Sequence, residues 1–443
     1  MSNFETLQKY TIAELRVTLS NLGGAPNNKK KNELIDEILK IQSGEISAKR
    51  SNRGRPSERT KRAENGEYYF TGVKSSFATL NDFTGDTALT PESCLGYLEI
   101  LSDGYGFLHK ESFQKESSVY VPLPVIKVNG LRTGDYIEGS GKLLKDKHII
   151  ELSAVESVNG HAPNAIKRLS FLQEEPLCPS EQIVLGGDLS VLDKIAPIGM
   201  GQRVALLSKS TRQIKDFTCA TLEALSKNQS VKAILYLADE RPEQVSFYKS
   251  AYPFAELFYS TFDKEPEYRA HVAEIAFARA TALAEEGNNV VIIVNTLTKL
   301  LKALLGAGGL YVADTAVSQR AVSAVLRYFG LARSIKNGSL TVIGAISTDI
   351  DAVACQILNS EVLQLANSKI VLDALLFEDG FTPAVDLLNS FTEDYELLLK
   401  DKTAINLVRA VKKALRGLAV TNQQAADMIT TLPEEEVINK LNG

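Results

Sequence analysis

The spacing of hydrophobic positions changes character several times along the chain. Leu7, Ile12, Leu15, Leu19, Leu34, Ile35 and Ile38 recur at helical spacing on either side of the break Gly23-Gly24-Ala25-Pro26-Asn27, which predicts two short helices in a subdomain over residues 1–44. Residues 45–91 lose this periodicity and read as a disordered linker. Residues 92–156 then alternate in short segments: Leu95 to Leu101, Tyr105 to Leu108, Val119 to Val121, Tyr136 to Gly139 and His148 to Leu152. Turn formers such as Asp103-Gly104, Asn129-Gly130 and Thr133-Gly134-Asp135 separate them, and the series predicts a small closed β-barrel. In the last section, residues 157–443, continuous apolar runs appear at Ala233 to Leu237, Val290 to Val294, Leu340 to Ile343 and Ile370 to Leu372, with helical stretches such as Val272 to Ala284 between them. Such runs belong to a parallel sheet covered on both faces. A Leu- and Ala-rich tail from Ala404 to Leu441 closes the chain with helices. The fold class is therefore multi-domain, α+β in its first half and α/β in its second.

Composition narrows the function classes. The 443 residues are 44% hydrophobic, enough for large cores, and no run approaches a membrane span. Neither a signal pattern nor a membrane partner is expected, so the reading is cytoplasmic. Cys94, Cys178, Cys219 and Cys355 form no C-x-x-C pair, and His109, His148, His161 and His271 show no metal-binding spacing, so no metal site is expected. The net charge of -5 hides a local reversal. Lys49, Arg50, Arg53, Arg55, Arg59, Lys61 and Arg62 crowd into the linker with only Glu58 among them, a composition that attracts phosphate backbones. Arg53-Gly54-Arg55-Pro56 also has the form of an AT-hook core, which makes DNA a possible second partner. Lys29, Lys30 and Lys31 at the start of the second helix fit either a phosphate contact or a solvated helix end.

The clearest binding signal lies in the barrel, at Gly104-Tyr105-Gly106-Phe107-Leu108. Alternation places Tyr105 and Phe107 on one strand face about 7 Å apart, a spacing at which two rings stack on successive bases. Tyr120 offers a third ring, and the competing reading makes all of them core. In the second half, a nucleotide-hydrolysing α/β domain needs a Gly-rich loop after its first strand to wrap the phosphates, followed by Lys and Ser or Thr. The strand is present at Arg203 to Ser208, but no glycine occurs between Gly201 and Gly287. Lys209, Thr211 and Lys215 therefore sit in a segment without the glycines of a phosphate cradle. Such a domain also needs a carboxylate at the end of an apolar strand to orient magnesium; here Val291 to Val294 leads into Asn295.

Leu98 to Leu108, Leu131-Arg132-Thr133-Gly134-Asp135, Ala196 to Arg203, Asp239-Glu240-Arg241-Pro242-Glu243-Gln244-Val245, Ser260-Thr261-Phe262-Asp263 and Phe329-Gly330-Leu331-Ala332-Arg333 occur in the order and spacing of bacterial transcription termination factor Rho. The chain resembles that family outside the 45–91 insert. The resemblance implies a helical cap, an OB-fold barrel of cold-shock type that holds RNA, and a RecA-like motor that assembles as a hexamer. It also implies that Tyr105, Phe107 and Tyr120 hold RNA, with His109 where the family commonly has Arg. Glu240 and Arg241 match the catalytic carboxylate and its neighbour. The family's Pro-Lys-Ala-Gly-Lys-Thr loop is replaced around Ser210 to Lys215, its strand-end Asp by Asn295, and the arginine that reaches into a neighbouring subunit by Asn389. Around Gly306 to Gly309 and Gln319-Arg320 the family's lysine-bearing pore loop is not recognisable.

Two functions follow. The first is a Rho-like pseudo-ATPase, with no cofactor, that binds single-stranded RNA and regulates or antagonises termination, assembling with itself or with an authentic Rho, with RNA polymerase as a further candidate partner. The alternative is an active translocase using ATP and Mg, with Lys215 and Glu240 at work. A weaker reading is a nucleic-acid scaffold acting through the linker. Asp239 and Arg241 also fit a purely structural role at the strand end.

Overall fold

The computed structural model describes residues 31–42, 87–110, 118–144, 149–166, 168, 170–307, 319–347, 353–381 and 384–442. The chain divides into two units, residues 1–65 and 66–443. In the first, α1 (Lys31–Gln42) is the described element, and it buries Leu34 and Ile35. The expected first helix, Lys29 and Lys30, and the basic linker with Arg53, Arg55 and Arg59 lie outside the described residues.

The second unit begins with a closed barrel of five strands: β1 (Thr87–Ile100), β2 (Gly106–His109), β3 (Val119–Val121), β4 (Tyr136–Leu144) and β5 (Ile149–Val158), ordered β1-β2-β3-β5-β4. Helix α2 (Leu123–Asn129) follows β3 and ends at Gly130, whose φ of 60° suits a left-handed cap. β1 starts at Thr87, inside the range read as linker, because Thr87 pairs with Leu144 and Pro91 with Lys142 on β4. The polar composition of Thr87 to Pro91 concealed a strand that is stabilised by its neighbour. Inward-facing Leu98, Leu108, Val119, Val121, Ile137 and Leu152 form the barrel core.

The remaining strands are β6 (Gln182–Ile183), β7 (Ile198–Gly199), β8 (Arg203–Ser208), β9 (Val231–Glu240), β10 (Glu256–Thr261), β11 (Asn289–Val294), β12 (Arg333–Ser334), β13 (Ser339–Ser347), β14 (Ser368–Val371) and β15 (Phe391–Thr392). The helices are α3 (Ser190–Ile195), α4 (Thr211–Ser226), α5 (Pro242–Ala251), α6 (Pro266–Glu285), α7 (Leu297–Ala307), α8 (Gln319–Phe329), α9 (Val353–Leu365), α10 (Ala374–Glu378), α11 (Tyr395–Leu399), α12 (Lys402–Arg416), α13 (Asn422–Thr431) and α14 (Glu434–Asn442). The main sheet runs β10-β9-β11-β13-β8-β14-β15, with β12 paired to β13. Its strands β8, β9, β10, β11, β13 and β14 are parallel. Alternation explains the apolar runs: Val290, Ile292 and Val294 enter one core, while Val291 and Ile293 enter the other on the opposite face. Each such side chain contributes about 1.5–3 kcal/mol by leaving water. Among the described residues no helix is long and apolar enough to cross a membrane.

Barrel and sheet domain meet along α6. Gly134 sits so close to this helix that a Cβ would lie 2.3 Å from the carbonyl carbon of Ala278, and its φ is 91°. Around it, Asp135 is fully buried and takes Arg168, one of whose bonds measures 2.8 Å; Arg132 pairs with Glu285, and Arg279 grips Glu256 at 2.7 and 2.8 Å. The Arg-Thr-Gly-Asp turn thus supplies both the space and the charges for docking.

Gly134→Ala is expected to destabilise the second unit by about 1–2 kcal/mol from the backbone alone, and further because α6 must move. Urea unfolding with tryptophan-independent far-UV circular dichroism reads this, and an unchanged midpoint would refute the close-approach argument.

Candidate functional site

Two regions carry the chemistry that the sequence singles out. On the barrel, Tyr105, Phe107 and His109 share the outer face, since Leu108 between them points into the core. Phe107 pairs with Tyr120 across β2 and β3. The rings of Tyr105, Phe107 and Tyr120 form their own cluster outside the barrel core, edged by Leu101 and Ile149. Their centroids are 5.8 to 6.0 Å apart at steep angles. The fold brings together the three rings named from sequence, closer than the spacing along one strand alone. They lean on one another, and each is less than a tenth exposed. Burial, with help from Glu151 and Tyr105, raises the pKa of the Tyr120 hydroxyl.

His109 lies farther along the same face but is fully enclosed, so the expected contact with an RNA backbone has no exposed surface to use. Its Nε2 is 2.8 Å from Glu99 Oε2, and the same oxygen lies 3.1 Å from Nε2 of His271 on α6. Burial alone would raise Glu99, but the charge of His271 and hydrogen bonds from both imidazoles hold it at about 2. Burial lowers His109, whereas Glu99 overcomes burial and raises His271. The partner of His109 is thus inside the molecule, at Glu99. Glu99 and His271 escaped the sequence reading, because they share neither an element nor a spacing with His109.

The second region is the carboxyl edge of the parallel sheet, where α/β folds place their ligands. β8 ends at Ser208 and α4 begins at Thr211, so only Lys209 and Ser210 connect them. Ser208 Oγ meets Gln213 Oε1 at 2.7 Å and takes the Ser210 amide at 3.0 Å. Gln213 Nε2 donates to Asp373 O after β14 at 2.8 Å. The Ser210 side chain accepts from the Arg212 amide as a helix cap. Side chains of the chain itself thereby engage the Ser210 and Arg212 amides and the Ser208 hydroxyl. Lys209 and Thr211 are exposed, and Lys215 turns its ammonium onto the Phe247 ring, 4.3 Å from the centroid.

At the end of β9, Pro242 occupies the first turn of α5 and holds Arg241 extended, which leaves Glu240 at the strand end. Asp239 takes a left-handed φ of 52° and both its oxygens bind Arg269 Nη1 at 2.6 Å. The structural role expected of Asp239 is met inside this chain, by a residue of α6. Arg241 is exposed. Asn295 stitches β9 to β11: its Oδ1 accepts from Ala238 N at 2.8 Å, and its Nδ2 donates to Ala238 O at 3.2 Å and to Glu240 Oε2 at 2.9 Å. Lys299 Nζ lies 3.4 Å from the same Glu240 oxygen. An aspartate at 295 could not make either donation.

Asn389 is exposed and bends back to Asp386, Nδ2 to Oδ2 at 2.6 Å. Its turn is held from beneath by Lys412, whose ammonium donates to the carbonyls of Leu387, Leu388 and Ser390. Burial draws the Lys412 pKa down to about 8, against the pull of Asp386. Gln213, Lys299 and Lys412 gave no sequence signal, since each is an ordinary polar residue of a helix until the fold places it. Of the pore-loop segment, Gly306 and Ala307 end α7 and Gln319 and Arg320 open α8; residues 308–318 lie outside the described residues.

Residues 94–164 match the RNA-binding domain of the Rho termination factor, and residues 188–392 match the nucleotide-binding domain of the ATP synthase alpha/beta family. Among solved structures, a prototypical ATPase of a type III secretion system is similar in fold, with a TM-score of 0.50 and 17% identity over 67% of this chain and 94% of that one. An ATP synthase subunit, NeqB from Nanoarcheaum equitans, gives 0.52 and 15% over 66% and 81%. At such identity the likeness concerns the fold alone. The transcription termination factor Rho of Streptomyces lividans is 31% identical over 78% of this chain but only 50% of its own length. That of Neisseria gonorrhoeae is 31% identical over 69% of this chain and 77% of its own, and that of Aquifex aeolicus 33% over 69% and 74%. Barrel, parallel sheet and these alignments lead to one conclusion: the chain belongs to the transcription termination factor Rho family.

Proposed function

We propose that this chain is a Rho-type single-stranded RNA-binding protein without ATP turnover, which regulates or antagonises termination in the cytoplasm. The observation that carries the reading is the two-residue connection between β8 and α4. Wrapping a triphosphate requires several successive backbone amides around a concave loop. Here the turn is short, lacks glycine, and has its Ser208 hydroxyl bonded to Gln213, which in turn donates to Asp373 O after β14. Asn295 adds to this, because it donates to Glu240 where magnesium chemistry needs a carboxylate. At Asn389 no positive charge is available for a phosphoryl group in a neighbouring subunit. ATP and Mg are accordingly not expected as cofactors. RNA would be held by the Tyr105, Phe107 and Tyr120 cluster once a base separates the rings, and the linker would add non-specific attraction to RNA or DNA.

Assembly with itself, or in a mixed ring with an authentic Rho, gives the regulatory effect. Each ring site is built from two subunits, so one such chain would silence the sites it shares. A contact with RNA polymerase would follow from the same assembly. The opposing reading, an active translocase, draws on Glu240, which remains at its strand end beside Lys299. In that reading the catalytic cation would be Lys215, which instead covers Phe247.

Purified full-length protein is expected to bind cytosine-rich RNA without binding or hydrolysing ATP. RNA-stimulated turnover that vanishes in Glu240→Ala would replace this reading with the translocase. Tyr105→Ala combined with Phe107→Ala should weaken RNA binding by about 1–3 kcal/mol per ring, whereas deleting residues 46–64 should mainly flatten the salt dependence. If the deletion abolishes binding and the ring variants do not, the linker is the binding element. Asn295→Asp is expected to cost about 1–3 kcal/mol of stability, by setting a second carboxylate against Glu240, and to restore no hydrolysis; thermal melting with an ATPase assay tests both parts.

A further inference from the structure

Glu99, His109 and His271 come from two separate modules and converge on one buried point. Glu99 on β1 and His109 on β2 belong to the outer face of the barrel, and His271 to α6. One ligand atom from each lies within 4.8 Å of the other two, and all three residues are buried. Zinc held by two imidazole nitrogens and a carboxylate oxygen has bonds of about 2.0–2.2 Å, which places neighbouring ligand atoms about 3.3 Å apart in a tetrahedron. The observed 2.8 and 3.1 Å from Glu99 Oε2 to the two imidazoles need only a few tenths of an ångström of expansion. The two rings stand edge to face, 79° apart with centroids separated by 5.3 Å, and so bring two imidazoles to one carboxylate without stacking.

A structural ion triad is the competing account. It requires both Nε2 atoms to carry protons toward a single carboxylate oxygen. A metal reverses the requirement, since Nε2 must then be bare and Nδ1 protonated. His109 has a partner suited to that tautomer: Ser118 Oγ lies 3.3 Å from its Nδ1 and can accept the proton. The pairing of nitrogen and oxygen donors favours zinc and its late first-row neighbours over magnesium or calcium.

We propose that Glu99, His109 and His271 form a zinc site that clamps the RNA-binding barrel to helix α6. Three protein ligands leave one coordination position for water or a further donor. The clamp would reach the sheet edge mechanically, because α6 also carries Arg269, which holds Asp239 next to Glu240. The site requires neither ATP turnover nor its absence, so it stands or falls independently of the proposed function.

The full-length chain, stripped with a chelator and dialysed, is titrated with Zn²⁺ and separately with Co²⁺. Expected are one tightly held ion per chain, a raised thermal midpoint, and cobalt d–d absorption of a four- or five-coordinate site. His109→Gln and His271→Gln keep a hydrogen-bond donor for Glu99 while removing a ligand. Each should lower zinc affinity by more than the roughly 10–100-fold typical of losing an outer-shell partner, with unchanged far-UV circular dichroism. Zinc uptake equal in the wild type and the double variant, or cobalt spectra of a fully hydrated ion, overturns the site. If the glutamine variants do not fold, the cobalt spectrum of the wild type alone still decides.

Discussion

The docking of the barrel against helix α6 is the constraint on which the other features depend. It needs a residue without a side chain at 134, because the helix backbone lies where a Cβ would be. It also needs buried charges that are paired, with three arginines serving four carboxylates. Asp135, Arg168, Glu285, Glu286, Arg132, Arg279 and Glu256 are all withdrawn from water to some degree, and removing one would leave its partner buried and unpaired. Such a seam favours one relative position over others more than it adds stability. The contact therefore fixes geometry: the outer barrel face divides into an aromatic half, at Tyr105, Phe107 and Tyr120, and a docked half, at Tyr97, Glu99 and His109. Tyr97 shows the division well, its ring tilted against Phe258 with centroids 4.8 Å apart.

Much of this was legible in the residues. The alternation of Gly106, Phe107 and Leu108 gave the correct face for each, and the unbroken run Val290 to Val294 announced a strand covered on both sides. What the residues concealed depends on partners distant in sequence. Thr87 to Pro91 looks like linker because its strand character comes from β4. His109 looked like a weakened cation because His271 and Glu99 enter only through the fold. Gln213 is an unremarked polar position of α4 until its amide spans Ser208 and Asp373. Polar residues in helices are ambiguous in this way, since the same side chain can be solvated or can be the only group filling a polar gap.

The sheet edge is held by bonds between neighbouring side chains and backbone. Asn295 would be a poor magnesium ligand, yet as an amide it both accepts and donates, and so ties Ala238 and Glu240 together. Glu240 keeps its place because Asn295 and Lys299 neutralise and orient it. Asp239, strained at its left-handed backbone, is held by Arg269. The retained Asp-Glu-Arg-Pro segment is thus explained by local bonding, whatever else it does.

The short turn from β8 to α4 has a corollary for amide exchange. The Ser210 amide is bonded to Ser208 Oγ, and the Arg212 amide to Ser210 Oγ. Opening of the turn also parts Ser208 from Gln213 and Gln213 from Asp373. Exchange of these amides with solvent deuterium therefore reports how firmly the end of β8 is tied to the strand beside it.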